Sequence, residues 1–253
     1  MRRRGFSMLE VIVVLGMAAL VALIFQLALR QSIGVYRKVG SEDVAMRNLR
    51  KARDRLSQEL AVSCFQETRV GPGPTSLVGR DGDAIWFLSA IDPATGNFLR
   101  RQDGTPFWQR TILYYPVIPT NKFAGAGLSV GGYEASCPNK VLVRKVLDTG
   151  TPTNPADEST AEQLPSDIST FLDRPDNFDT SAMNGQMVTL VATDLVTFQA
   201  VADPAVREVR FDVRSLAIGD ASRELAVGSV DLFETRFTSR LDFSIFPVNR
   251  SMP

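Results

Sequence analysis

The first pattern along the chain is an apolar block. Residues 6–29 read FSMLEVIVVLGMAALVALIFQLAL, and Glu10 is the only charged side chain among them. As a helix rising ~1.5 Å per residue the block reaches roughly 36 Å, enough to cross a hydrocarbon layer of about 30 Å with some tilt. Arg30 closes it, and Arg37 and Lys38 follow. The pattern then becomes amphipathic. Ala45, Leu49, Ala52, Leu56 and Leu60 recur at steps of three and four, the stripe of a helix buried along one side. Arg47, Arg50, Lys51, Arg53, Asp54, Arg55 and Glu59 lie between them and read as its charged solvent face. Gly71-Pro72-Gly73-Pro74 is a breaker. One continuous or gently kinked helix is therefore predicted from residue 6 to about 68, with Gly34 and Gly40 as weak points.

Beyond residue 74 the period drops to two. Short apolar runs at 84–88, 111–117, 141–147, 187–191 and 195–200 read as strands. Val209, Phe211 and Val213 alternate with Arg210, Asp212 and Arg214, and residues 235–243 alternate again. No helix-length periodic run follows, although 160–172 has room for a short turn. A long helix followed by a mostly antiparallel sheet is an α+β arrangement. Residues 119–139, rich in Gly, Ala and Ser, and 148–186, rich in Pro and acidic residues, read as loops. The plain expectation for the acidic loop is a solvated surface segment. A partner-docking insertion and a calcium site are the sharper readings, and the spacing of an EF-hand is absent.

Composition narrows the chemistry. The 253 residues contain no His and two Cys, with 28 Lys+Arg against 28 Asp+Glu. A Ser-His-Asp triad, a Cys-His dyad, an HExxH zinc site and a four-Cys metal site are all excluded. The neutral balance lacks the basic excess of a dedicated nucleic-acid binder, so no direct nucleic-acid partner is predicted. No GxSxG, P-loop or GxGxxG motif is present. No cofactor is expected, and the chain is not expected to be an enzyme.

The charges are unevenly placed. Arg2, Arg3 and Arg4 precede the apolar block. A cleaved secretory signal would have a shorter apolar region and a small-residue cleavage site after it. A membrane anchor fits better, with the basic end cytoplasmic and the C-terminal bulk outside the cytoplasm. Glu10 is the anomaly, since a carboxylate inside such a block costs about 2.5–3.5 kcal/mol on insertion scales.

The run Arg2-Arg3-Arg4-Gly5-Phe6-Ser7-Met8-Leu9-Glu10-Val11, opening an apolar helix, resembles the type IV pilin family. The resemblance covers about the first 30 residues. It implies a leader, residues 1–5, removed by a membrane prepilin peptidase between Gly5 and Phe6. The same enzyme would methylate the new amine of Phe6 with S-adenosylmethionine. It implies that residues 6–29 are the transmembrane and filament-core helix, 30–74 the amphipathic helix and linker, and 75–253 an extracytoplasmic β-rich domain. It implies that Glu10 meets the N-terminal amine of a neighbouring subunit. Physical chemistry agrees, because a buried carboxylate is tolerable beside a cation. The α-amine is the only cation that the apolar segment supplies after cleavage.

The size and the region 187–216 are similar to the large W-type minor pilins and to the J-type pseudopilins of type II secretion. The expectation is a minor pilin that primes assembly and caps the tip of a type IV pilus. Its partners would be other minor pilins, the major pilin, the inner-membrane assembly platform and membrane lipid. Its location would be the bacterial inner membrane, single-pass with a cytoplasmic N-terminus, and then the filament. The alternatives are a J-type pseudopilin and a membrane-anchored extracytoplasmic binding domain. Outside the cytoplasm Cys64 and Cys137 are candidates for a disulfide. It would close a loop of roughly 74 residues and contribute about 4 kcal/mol in the chain-entropy model. Two unpaired thiols are the other reading.

Overall fold

The computed structural model describes residues 7–74, 82–92, 94–120, 140–147, 152–175, 180–181, 183, 187–216 and 238–249. The architecture is α+β, as the sequence pattern predicts. Among the described residues one α-helix, α1 (Met8–Leu60), is followed by seven strands. These are β1 (Thr68–Pro72), β2 (Asp83–Ser89), β3 (Arg110–Val117), β4 (Lys140–Leu147), β5 (Met187–Asp203), β6 (Glu208–Leu216) and β7 (Thr238–Ile245). They form one antiparallel sheet in sequence order, so every strand pairs with its neighbour in the chain. The sheet curls: Gly82 bridges to Phe198, and the amide of Ala200 donates to Asp83 Oδ2 at 2.8 Å, bringing the start of β2 against the middle of β5.

The concave face holds the main core. Leu49, Ala52, Leu56 and Leu60 of α1 pack against Ile85, Phe87, Ile112, Leu142, Phe198, Phe211, Val213 and Ile245 of the sheet. This is the stripe legible in the sequence. Aromatic stacking ties the far strands together, with ring centroids of Phe211 and Phe243 4.9 Å apart.

Three features depart from the sequence reading. First, α1 ends at Leu60 rather than near 68, and residues 65–67 form one 3₁₀ turn leading into β1, a strand the breaker motif hid. Just past the helix end the chain after β7 takes the carbonyls that a further turn would have used. The amides of Val248 and Asn249 donate to the carbonyls of Ala61 and Ser63, and Asn249 Nδ2 donates to the carbonyl of Val62 at 2.6 Å. Second, the runs at 187–191 and 195–200 are one strand of 17 residues, bulged near Asp194, whose φ is 58°. Three polar side chains hold the bulge: Asn48 of α1 donates to the Thr193 carbonyl, Ser215 to the Asp194 carbonyl, and the buried Lys140 ammonium to the Val196 carbonyl. Third, the acidic loop is only partly solvated: most of residues 152–160 are exposed, but 162–175 pack on the sheet, and residues 148–151, 176–179, 182 and 184–186 lie outside the described residues. Residues 152–175 lie as a strap across the convex face of β2–β4, where Leu164, Ile168, Phe171 and Leu172 cover Ala84, Trp86, Leu113, Tyr115, Val141 and Val143. Trp86 Nε1 donates to the Pro165 carbonyl at 3.0 Å, and the Glu162 amide to the Trp108 carbonyl at 2.9 Å. Most of the loop at 119–139 lies outside the described residues, as do 235–237 of the final predicted strand.

The contacts at the end of α1 generate a test. Asn249→Ala leaves the Val62 carbonyl without its side-chain donor, and the expected loss is about 1 kcal/mol. Urea unfolding of the detergent-solubilised full chain, followed by Trp fluorescence, measures it.

Candidate functional site

The helix begins with a local hydrogen-bonded device. Ser7 is the N-cap, in extended conformation, and its Oγ accepts from the Leu9 amide at 3.3 Å. The Ser7 amide in turn donates to Glu10 Oε2 at 3.1 Å, completing a capping box. Glu10 therefore sits in the first turn, where backbone amides have no helical acceptor and the helix dipole favours an anion. The resemblance singles out Glu10 for pairing between subunits; this structure adds its role in its own helix start. The S-x-x-E spacing of Ser7 and Glu10 is the sequence signature of this capping box. Gly5 and Phe6 lie outside the described residues.

From the first turn onward α1 has no cover. Residues 8–37 are all exposed, including Leu9, Val11, Ile12, Leu15, Leu20, Ile24, Phe25 and Leu29. The first fully buried residue of the helix is Ala45. The helix runs through Gly16, Gly34 and Gly40 without a break, and a Cβ at any of them would meet open space. Helix α1 is long and apolar enough to cross a membrane. Exposed apolar surface of this extent is the kind that marks membrane or protein interaction.

The lower half of α1 is joined to the sheet by buried charge. The sequence reading placed Glu59 on the solvent face; the structure buries it. Glu59 lies three residues after Leu56 and seven after Ala52, so it shares their side of the helix, and the spacing alone was enough to show this. Its carboxylate accepts from Tyr114 Oη at 2.6 Å and from Arg144 Nε at 2.9 Å, and forms an ion pair with Arg55 at 2.9 Å. Tyr114 and Arg144 are direct cross-strand partners on β3 and β4. Burial, reinforced by the Glu59 charge, pushes the Tyr114 phenol far up. Burial works against the charge of Arg144, but the hydrogen bond and charge of Glu59 outweigh it and raise that group.

A second buried cluster stands on the opposite face. Lys145 is fully buried; its ammonium pairs with Asp173 of the strap and donates to the Phe171 carbonyl at 2.6 Å. Tyr115 Oη donates to the Asp173 carbonyl at 2.7 Å, and the Lys145 ammonium lies 5.6 Å from the Tyr115 ring centroid. Burial lowers the Lys145 group, with Asp173 partly offsetting it, and burial raises the Tyr115 phenol.

Cys64 is buried as a free thiol beside Leu88, Ala90 and Trp108, and Cys137 lies outside the described residues. Among the described residues no group of three or more His, Cys, Asp or Glu is placed to hold a metal ion, the acidic strap included. No family model, no curated protein and no solved structure matches the chain.

Two outcomes follow from the buried joint. Glu59→Ala strands Arg144 without its carboxylate, and the expected loss is about 3–5 kcal/mol in urea unfolding of the solubilised chain. Adding Arg144→Met removes the stranded charge and recovers much of that loss. Tyr114→Phe has a pH signature. Above the usual tyrosine value of about 10 the unfolded chain sheds a phenolic proton that the folded chain keeps, so wild-type stability falls as pH rises. Phe has no such proton. The gap between the two proteins, about 1.5–3 kcal/mol near neutrality for a hydrogen bond to a charged group, narrows as pH passes 10.

Proposed function

We propose that this chain is a minor subunit of a type IV pilin-like filament, anchored in the inner membrane by α1 until it is drawn into the filament. The observation that carries the reading is one helix with two environments. Its first half is apolar and wholly exposed, opens on Ser7 and Glu10, and follows Arg2-Arg3-Arg4-Gly5-Phe6. Its second half is fixed to an antiparallel sheet through a core stripe and the Glu59 joint. In this reading the peptidase cuts after Gly5 and methylates Phe6. The exposed half then exchanges lipid for the helices of other subunits, where small residues such as Gly16 permit close approach. Glu10 keeps one carboxylate oxygen on the Ser7 amide and offers the other to the amine of a neighbour. The W-type minor pilin is the member of the family we assign, acting in the complex that primes assembly and caps the tip.

The cut is tested by mass spectrometry of the mature chain, which should begin at N-methylated Phe6; a chain still beginning at Met1 refutes the proposal. The assembly role is tested by Glu10→Gln, which keeps a capping-box acceptor and removes the charge. Co-purification with other pilins should be lost while the β domain stays folded. Unchanged incorporation would sink the role given to Glu10. Co-purification of the wild-type chain with pilus subunits, rather than with secretion components, separates the W-type from the J-type assignment.

A further inference from the structure

The exposed apolar surface of α1 does not stop where the apolar block stops. Ile33, Val35, Tyr36 and Val39 are 51%, 63%, 82% and 59% exposed. Residues 8–39 as one helix span roughly 48 Å, longer than a hydrocarbon layer of about 30 Å and a little longer than a whole bilayer of about 40–45 Å. The turns after Leu29 therefore fall in the headgroup layer on the side of the sheet domain. Their charge is one-sided. The sequence has no acidic residue between Glu10 and Glu42. Arg30 and Arg37 are exposed, stand seven residues apart and so on one side of the helix, about 10.5 Å apart along its axis. Among the described residues neither side chain forms an ion pair or hydrogen bond. Asp43 and Arg47 form an ion pair where the helix approaches the fold.

We propose that residues 30–39 are a binding surface for anionic lipid headgroups, with Arg30 and Arg37 engaging phosphodiesters and Tyr36 seated at the interface. This rests on the membrane-anchor reading. Arginine matches phosphate geometry with paired donors while its stem lies along apolar surface. A tyrosine in this layer keeps its ring in the chains and its hydroxyl wet. The consequence is a fixed depth for the sheet domain and a dependence of the anchored state on anionic lipid.

The full chain is reconstituted in phosphatidylcholine vesicles with and without phosphatidylglycerol, and association of spin-labelled phosphatidylglycerol and phosphatidylcholine is compared by electron paramagnetic resonance. The anionic label should be preferred, by roughly fivefold per arginine at low salt, with the preference falling as salt rises and collapsing in Arg30→Gln/Arg37→Gln. In a Tyr36→Trp chain the emission should be blue-shifted and quenched by lipids brominated near the headgroup. Equal association of the two labels with the wild-type chain overturns the proposal alone. Loss of pilin co-purification in the double variant with lipid preference intact also overturns it, and assigns the arginines to a neighbouring subunit. Failure of the chain to float with any vesicle overturns the anchor reading together with it.

Discussion

Arg144 and Lys145 stand side by side in a strand with no exposed residue, and the layering of the protein follows from how those two charges are met. Strand geometry sends neighbours to opposite faces. A buried charge without a partner costs several kcal/mol, so each face of β4 must present an acceptor. On the concave face α1 supplies Glu59; on the convex face the strap supplies Asp173 and the Phe171 carbonyl. The adjacent tyrosines of β3 repeat the arrangement, Tyr114 turning to the helix and Tyr115 to the strap. The centre of the sheet is thus the middle of three layers. Among the described residues the strap does not reach β6 and β7, and there Arg214, Asp212, Arg240 and Asp242 form a chain of ion pairs, largely covered at Arg214 and Asp212 and exposed at Arg240 and Asp242, the exposed links worth little alone.

The joint at Glu59 also decides what the helix can do. Glu59 lies one residue before the end of α1, and the next three carbonyls are held by the segment after β7. The lower end of the helix is therefore fixed from two sides, by charge and by backbone hydrogen bonds. The upper end has neither. Because α1 has no break, a displacement of its exposed half is delivered to the sheet through a rigid rod and a desolvated ion pair. A loop or a proline between the halves would have uncoupled them.

Much of this was legible before any coordinates. The helix, its buried stripe and most of the strands follow from periods of 3.6 and 2 that single residues declare. What was not legible has specific causes. β1 was hidden because Thr68-Arg-Val-Gly-Pro is short and ends in breaker residues. The length of β5 was hidden by the bulge at Asp194, which interrupts alternation. The strap was read as solvated because its acidic residues dominate its composition, while its anchors, Leu164, Ile168, Phe171 and Leu172, are scattered and have no period. Glu59 was misplaced for a different reason. Its position on the stripe was plain, but its charge argued for water, and its buried counter-charge, Arg144, lies 85 residues away. A pair so separated cannot be inferred from either member.

Glu10 poses the opposite problem, because its local partner is visible and is not enough. The Ser7 amide satisfies one carboxylate oxygen and fixes the first turn, yet a hydrogen bond from a neutral amide leaves the negative charge in place. On the membrane-anchor reading that charge, near the end of the apolar block, still reaches the interface and is tolerated there. In a core made of packed helices there is no interface to reach, and tolerance then requires a cation. Removal of residues 1–5 takes three of the 28 basic side chains with it, leaving 25 against 28 acidic ones, and none of those 25 lies between Phe6 and Leu29. On the proposed reading the cation is the amine that the cut itself creates. On the proposed reading, cleavage does more than release a leader: it produces the counter-charge without which Glu10 could not leave the membrane interface.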